Sequence, residues 1–389
     1  MESSANIRLQ EQKLEEMRNT IADYQRLIDQ NQVKQTLKSE STNVAPIPSL
    51  FTMPLKKTIL NKDGNASHSG KKGSSQGGEG GAHTEPTVPI NCVAFNQNEK
   101  YADQFATVDE QGRLSIWDAK KGVKQIEEPK VTNGLLMTCS FEGREGKLIA
   151  CGGIDTKLHI FSINPSGKKK EKLTLIEKVK ELTGHYGLIT CSSFMNQQYL
   201  VSGSNDSSIM LWDLEKPGRF LVKYGEHQNE VLSLDVFQLD GNIIVSGSND
   251  ATTRVWDIRQ KSPCIRIFEK NKCGVSAVKF MTDCVNTIAI GCDDSSIKLY
   301  DLRAIGKIGK YKEEQGFESV QSLAFSTSGR LLFSSYNNNN IKVWDVLQER
   351  KVTQIKGQHR EAVKSISMSY DGGTLVSAGK DGIVHLWGQ

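Results

Sequence analysis

The sequence predicts an all-β fold, a seven-bladed β-propeller preceded by a coiled-coil helix, and three observations support this. First, the stretch VSGSNDATTRVWDIR, Val245 to Arg259, recurs as VSGSNDSSIMLWDLE from Val201 and AIGCDDSSIKLYDLR from Ala289, with weaker copies from Phe105, Ile149, Phe333 and Val376. Second, aligning the copies on their terminal aromatic gives Trp117, Phe161, Trp212, Trp256, Tyr300, Trp344 and Trp387, spaced by 44, 51, 44, 44, 44 and 43 residues. A fixed period in this range marks a repeat architecture. Third, each copy runs from an apolar stretch through a Gly/Ser/Asn/Asp turn into a second alternating stretch, as two antiparallel strands joined by a tight hairpin would. A further strand precedes each copy, as in EVLSLDVFQ from Glu230. Three or four strands per period make a propeller blade. All five tryptophans occupy one slot of the repeat.

Composition agrees with a large folded core. Seven blades use roughly 300 residues of the 389, aromatic residues are 7% and charged residues 24%. A net charge of +4 is small for this length and gives no sign of a nucleic-acid partner. The opening MESSANIRLQEQ is polar and lacks the apolar core of a secretory leader. No stretch approaches the roughly 20 apolar residues of a membrane span. Eight cysteines are scattered without a CxxC pair, which suits reduced thiols in a cytosolic or nuclear compartment. Cys139, Cys151 and Cys191 fall within apolar strand patterns, where a thiol packs as a small hydrophobe.

Residues 1–38 read as a helix starting near an N-cap at Ser4. Ile7, Leu14, Ile21 and Ile28 repeat every heptad at one seam position and Met17 and Tyr24 take the other, with Gln10 and Asn31 as polar interruptions. At about 1.5 Å per residue the helix is about 50 Å long. A lone helix with an uncovered apolar stripe is marginal in water, so it needs cover from another chain, a copy of itself, or the propeller wall. Residues 39–60 form a connector whose end, Phe51 to Leu60, is strand-like. The last repeat ends at its third strand, and this segment is the donor expected to pair with its open edge and close the ring. Residues 61–86 are rich in Gly, Ser and Lys and read as a flexible loop. The propeller then spans residues 87–389, with the long interval marking an insertion at Gly167 to Lys172. Its lysines read as a solvated loop, with an acidic partner or lipid headgroups as the alternative.

Three repeats carry a fuller polar set: His185, Ser202, Asp206 and Trp212; His227, Ser246, Asp250 and Trp256; His359, Ser377, Asp381 and Trp387. A chain from the indole N–H through Ser and His to Asp satisfies every polar group in it. Threefold recurrence in one slot of the repeat marks these residues as structural rather than as a catalytic triad. The first and sixth repeats carry Gln111 and Asn338 in the Asp slot, and are expected to rely more on apolar packing. There is no HExxH and no GxSxG. The two near-matches to a phosphate loop, Gly64 to Lys71 and Gly373 to Lys380, have five residues where four are needed and no Ser or Thr after the lysine. No metal, cofactor, nucleotide site or catalysis is expected. The chain reads as a platform for protein partners.

The repeats follow the WD-repeat pattern, and the chain as a whole resembles heterotrimeric G-protein beta subunits. That family also feeds a long helix into a seven-bladed ring, and local strings agree: Leu136-Met137-Thr138-Cys139 followed by Ala150 to Asp155, then Gly291-Cys292-Asp293-Asp294 with Tyr300-Asp301-Leu302-Arg303, then Ser328 to Leu332 with Val343-Trp344-Asp345. The resemblance implies a gamma subunit wound along the N-terminal helix. It also implies a GDP-bound alpha subunit on one narrow face of the ring, and effectors on that face once alpha leaves. Contact positions that look kept are Arg113, Lys124, Met137, Ile154, Glu230, Leu232 and Asp293. Departures are Leu135 for a large aromatic, Lys380 for a tryptophan, Asn91 and Leu188 for tyrosines, and Gly274 for an aspartate. The C-terminal Leu-Trp-Gly-Gln has no cysteine for a lipid, so attachment to the cytoplasmic face of the plasma membrane is expected only through a lipidated partner. The alternative is a WD-repeat scaffold outside G-protein signalling, of the co-repressor or ubiquitin-ligase adaptor kind, with a self-associating helix.

Overall fold

A computed structural model describes residues 53–60, 87–126, 130–164, 175–216, 220–268, 271–282, 286–303, 306–313 and 318–388. The expected helix with Ile7 and Ile28, the 61–86 segment and the insertion at Gly167 to Lys172 lie outside the described residues. The rest is a propeller of seven antiparallel four-stranded sheets. The innermost strand of each blade packs against those of its two neighbours, and the ring closes where Val363–Met368 of blade 7 meets Ile90–Phe95 of blade 1. The core is correspondingly divided into clusters at the interfaces between adjacent blades, such as Trp256 with Val201, Leu211 and Val231 between blades 3 and 4.

Blade 7 takes its outer strand from the N-terminal side. Leu55–Leu60 pairs antiparallel with Ile383–Gly388, so the strand sits beside the last strand of the chain. Ile59 is buried among Ile90, Phe105, Trp117 and Val384. His385 adds a polar tie: its Nδ1 lies 3.0 Å from the Thr58 hydroxyl, and its Nε2 lies 3.2 Å from the Gln358 carbonyl.

Each second-to-third-strand hairpin turns through one left-handed residue at the same repeat position. Glycine fills it in blades 1 and 7, at Gly112 and Gly382, whereas Thr156, Ser207, Ala251, Ser295 and Asn339 accept positive φ in blades 2 to 6. A side chain there costs about 1 kcal/mol or more. Blade 1 cannot make this substitution, because a Cβ on Gly112 would sit 2.2 Å from the Thr132 carbonyl oxygen and 2.5 Å from that of Gly134.

Candidate docking surface

The polar set of blade 4 is a row of hydrogen bonds. The Trp256 indole N–H donates to the Ser246 hydroxyl at 2.9 Å, that hydroxyl meets His227 Nε2 at 2.8 Å, and His227 Nδ1 reaches Asp250 at 2.8 Å. Blade 3 repeats the row with Trp212, Ser202, His185 and Asp206, and blade 7 with Trp387, Ser377, His359 and Asp381. With the Ser246 hydroxyl donating onward to Nε2, the blade 4 row is satisfied by a His227 ring that donates from Nδ1 to Asp250. Burial opposes ionisation of Asp250, but the Thr252 hydroxyl, the Gln228 N–H and His227 outweigh it and hold its carboxyl at about 2. Burial also pushes His227 below its ordinary value, against the pull of Asp250. Each aspartate further accepts the N–H of the residue after its histidine: Tyr186 at 3.0 Å, Gln228 at 3.0 Å and Arg360 at 2.9 Å. These side chains are consumed in holding the hairpin to the blade and leave nothing aimed at a substrate.

Blades 1 and 6 differ from the sequence expectation. Each keeps a tryptophan bond, Trp117 to Thr107 at 2.9 Å and Trp344 to Ser334 at 2.8 Å. Each also adds buried ion pairs rather than apolar packing alone. In blade 1 Asp109, two residues before the missing aspartate, binds the Arg113 guanidinium at 2.8 Å. In blade 6 Lys342 is 2% exposed between Glu318 at 2.8 Å and Glu313 at 3.0 Å.

One end of the ring carries a sevenfold frame of backbone bonds. The residue ahead of each inner strand accepts the N–H of a residue in its own hairpin: Glu110 to Pro89, Ile154 to Leu135, Asn205 to Leu188, Asn249 to Glu230, Asp293 to Gly274, Asn337 to Ser319 and Lys380 to Ala362. Two residues further on, each inner strand has a bulge that leaves one residue out of register: Asn91, Met137, Thr190, Leu232, Ser276, Gln321 and Lys364. All seven are half-buried. Bulges re-aim side chains and are typical of functional rims. Polar bulge residues lace neighbouring blades: Asn91 donates to the Leu136 carbonyl at 2.8 Å, Thr190 donates to the Val231 carbonyl, and Lys364 donates to Gln321 Oε1 at 2.9 Å. Met137 and Leu232, at the same bulge position, carry apolar side chains.

Most residues singled out by the resemblance belong to this frame. Leu135, Leu188, Glu230 and Gly274 precede inner strands; Ile154, Asp293 and Lys380 stand in the hairpins; Met137 and Leu232 are bulge residues. Ile154 is 52% exposed, Asp293 and Lys380 are exposed, and Leu135, Met137, Leu188, Glu230 and Leu232 are half-buried. Gly274 is buried, and a Cβ there would meet Asn249 and Asp293 side-chain oxygens at 2.7 Å. Arg113 is buried on Asp109, so its guanidinium serves the turn of blade 1. Lys124 stands apart on the outer strand of blade 1, its ammonium 5.0 Å from the centre of the Trp117 ring. Asn91, Thr190, Ser276, Gln321 and Lys364 complete the bulge ring. Their signal in the sequence is a residue that breaks the strict alternation at the start of each inner strand. The phosphate-loop near-match at Gly373 to Lys380 is strand and hairpin of blade 7.

The frame has two halves. Blades 2 to 4 present Leu135, Met137, Ile154, Leu188 and Leu232 among the polar Thr190, Asn205, Glu230 and Asn249, with Tyr186 87% exposed beside them. The remaining blades present charge and amide groups: Asp293, Gln321, Lys364, Lys380, Glu110 and Asn91. An apolar arc flanked by polar groups has the make-up of a protein interface.

Comparisons with known proteins agree with this architecture. A family described as WD domain, G-beta repeat matches residues 79–118, and one described as Nucleolar protein 10-like, N-terminal domain matches residues 194–386. The chain is 42% identical over 283 residues to a guanine nucleotide-binding protein subunit beta of Lymnaea stagnalis, covering 73% of this chain and 79% of that one. It is 38% identical to a G(I)/G(S)/G(T) subunit beta-1 of Homarus americanus, again over 73% of this chain and 79% of the relative. A subunit beta-5b of Danio rerio is 33% identical over 77% of this chain and 73% of its own. With that identity over about three quarters of its length, the chain belongs to the family of guanine nucleotide-binding protein beta subunits.

Proposed function

We propose that this chain works as a G-protein beta subunit: a scaffold without catalytic chemistry that pairs with a gamma subunit through residues 1–38 and docks a GDP-bound alpha subunit on the framed end of the ring. Effectors in transmembrane-receptor signalling then use the same end when alpha is absent. The observation that carries the reading is the apolar arc of Leu135, Met137, Ile154, Leu188 and Leu232, held at one height by a repeated backbone bond and bulge. The gamma partner follows from the stripe Ile7, Leu14, Met17, Ile21, Tyr24 and Ile28, which leaves an apolar seam in search of cover. No helix among the described residues is long and apolar enough to cross a membrane. In this reading a lipidated gamma partner brings the protein to the cytoplasmic face of the plasma membrane.

Specific departures favour a second reading, a WD-repeat scaffold outside G-protein signalling. Leu135, Leu188, Asn91 and Lys380 stand where the family carries aromatic residues, and aromatic anchors commonly contribute about 2 kcal/mol or more each. Purification of the full chain from its native cells, followed by mass spectrometry, separates the two. The beta-subunit reading expects a small coiled-coil protein ending in a prenylated cysteine, together with an alpha subunit. Recovery of self-oligomers or adaptor partners alone overturns it.

A further inference from the structure

The facing positions just inside the framed end differ from blade to blade. The residue before each carbonyl of the frame looks across at the residue before its N–H partner. In blade 3 a Cβ on Gly187 would lie 3.2 Å from the Ser204 hydroxyl. In blade 4 the Ser248 hydroxyl donates to the Asn229 carbonyl at 3.0 Å. In blade 5 both positions are cysteine, Cys273 and Cys292. Their sulfurs and an Asp294 carboxylate oxygen all lie within 4.8 Å of one another. Cys292 is fully buried and Cys273 is half-buried.

Two chemistries suit such a cluster, and the surroundings choose between them. Two thiolates and a carboxylate are a partial ligand set for zinc. Two ammonium groups already pair with polar atoms beside the cluster, however. Lys298 donates to Asn271 Oδ1 at 2.6 Å, the same oxygen that lies 3.8 Å from Cys292 Sγ, and Lys312 pairs with Asp294 at 3.5 Å. Fixed cations repel a divalent ion but leave a neutral sulfur–sulfur bond unaffected. We propose that Cys273 and Cys292 are an oxidant-responsive pair that closes into a disulfide on exposure to peroxide. The half-buried Cys273 thiolate attacks one peroxide oxygen, the O–O bond breaks, and hydroxide leaves to become water. The Cys292 thiolate then attacks the sulfur of the resulting sulfenic acid and displaces a second hydroxide, which also leaves as water. Two thiols and one peroxide thus give one disulfide and two waters.

Burial pushes the Cys292 thiol up to about 12 and raises that of Cys273, so the thiolate fraction of each is small and closure on peroxide is slow. The bond would join the lead-in of blade 5 to its hairpin directly beneath Gly274 and Asp293, which share a 3.1 Å backbone bond. The disulfide itself does not depend on any partner, so its test stands whether or not an alpha subunit docks there.

The full chain, reduced and freed of reductant, is treated with hydrogen peroxide, capped with an alkylating agent and digested without reduction. The expected product is a linked pair of peptides, one carrying Cys273 and the other Cys292, that separates on adding dithiothreitol. Because Cys284 shares the tryptic peptide of Cys292, the link must persist in Cys284→Ser. It must vanish in Cys292→Ser, which supplies the serine found at this position in blades 3 and 4, and in Cys273→Ala. Alkylation of both Cys273 and Cys292 after peroxide in the folded protein overturns the proposal. So does a zinc ion retained at one per chain that shields both thiols.

Discussion

Removing residues 53–60 opens the ring and lowers the melting midpoint by on the order of 10 °C, with loss of a single cooperative transition. Without Leu55–Leu60, the strand Ile383–Gly388 has no outer neighbour, and its ladder groups and apolar side chains face water. About five backbone pairs at roughly 1 kcal/mol net each and the burial of Ile59, worth about 2 kcal/mol, are lost. The conformational entropy regained by the freed residues offsets part of this. The effect is larger than the local sum because Ile59 lies in the cluster that joins blade 7 to blade 1 and closes the circle. Calorimetry of the deleted chain and of Ile59→Asp checks it. A midpoint within a few degrees of the intact protein in both variants would contradict the closure account.

Acid destabilises the same blade. Burial, and then the charge of neighbouring His359, hold the folded His385 at about 4, against an ordinary value of 6.5. The two rings are 4.5 Å apart, centre to centre. The sign follows from the proton count. Between pH 6.5 and 4 the unfolded chain takes up a proton on this histidine and the folded chain does not, so stability present above pH 6.5 is lost as pH falls. The loss across that window is on the order of 3 kcal/mol. His227, also lowered mainly by burial, contributes in the same direction. Below pH 4 the aspartate of its row adds to the loss, because the folded Asp250 is held at about 2 and the unfolded carboxyl protonates first. Urea unfolding at pH 7 and pH 5 measures the slope. His385→Gln should be less stable at pH 7 yet lose less on acidification, and an unchanged pH slope in that variant would refute the assignment.

The seven blades were legible because the period and the aromatic slot repeat, and the tryptophans are buried where the repeat puts them, down to 0% exposure for Trp256. Compensation inside a blade was not legible. Gln111 looked like a simple loss, yet the carboxylate had moved two residues upstream to Asp109 and recruited Arg113, a partnership visible only once the hairpin is built. Lys342 is an ordinary strand lysine in the sequence; its acidic partners Glu313 and Glu318 lie well before it, in the lead-in to the blade. The bulge ring escaped for a related reason. A residue pushed out of register leaves little trace in a period-two pattern until both strands are paired. That ring puts Met137 and Leu232, two residues singled out by the resemblance, at equivalent points of different blades. The polar rows, by contrast, concern hairpin anchoring: their histidines are buried and their hydrogen bonds are internal. Under the proposed function, the residues that differ between blades at the framed end select the partner.

The most direct test measures binding of the chain, with its helix partner in place, to a purified alpha subunit loaded with GDP or with a non-hydrolysable GTP analogue. The account predicts tight binding in the GDP state only. It also predicts a fall of at least about tenfold, or ~1.4 kcal/mol, when Met137→Ser and Asp293→Lys are combined, with the helix partner retained. Equal affinity for both nucleotide states, or an affinity unchanged by the two substitutions, would contradict docking at the framed end of the ring.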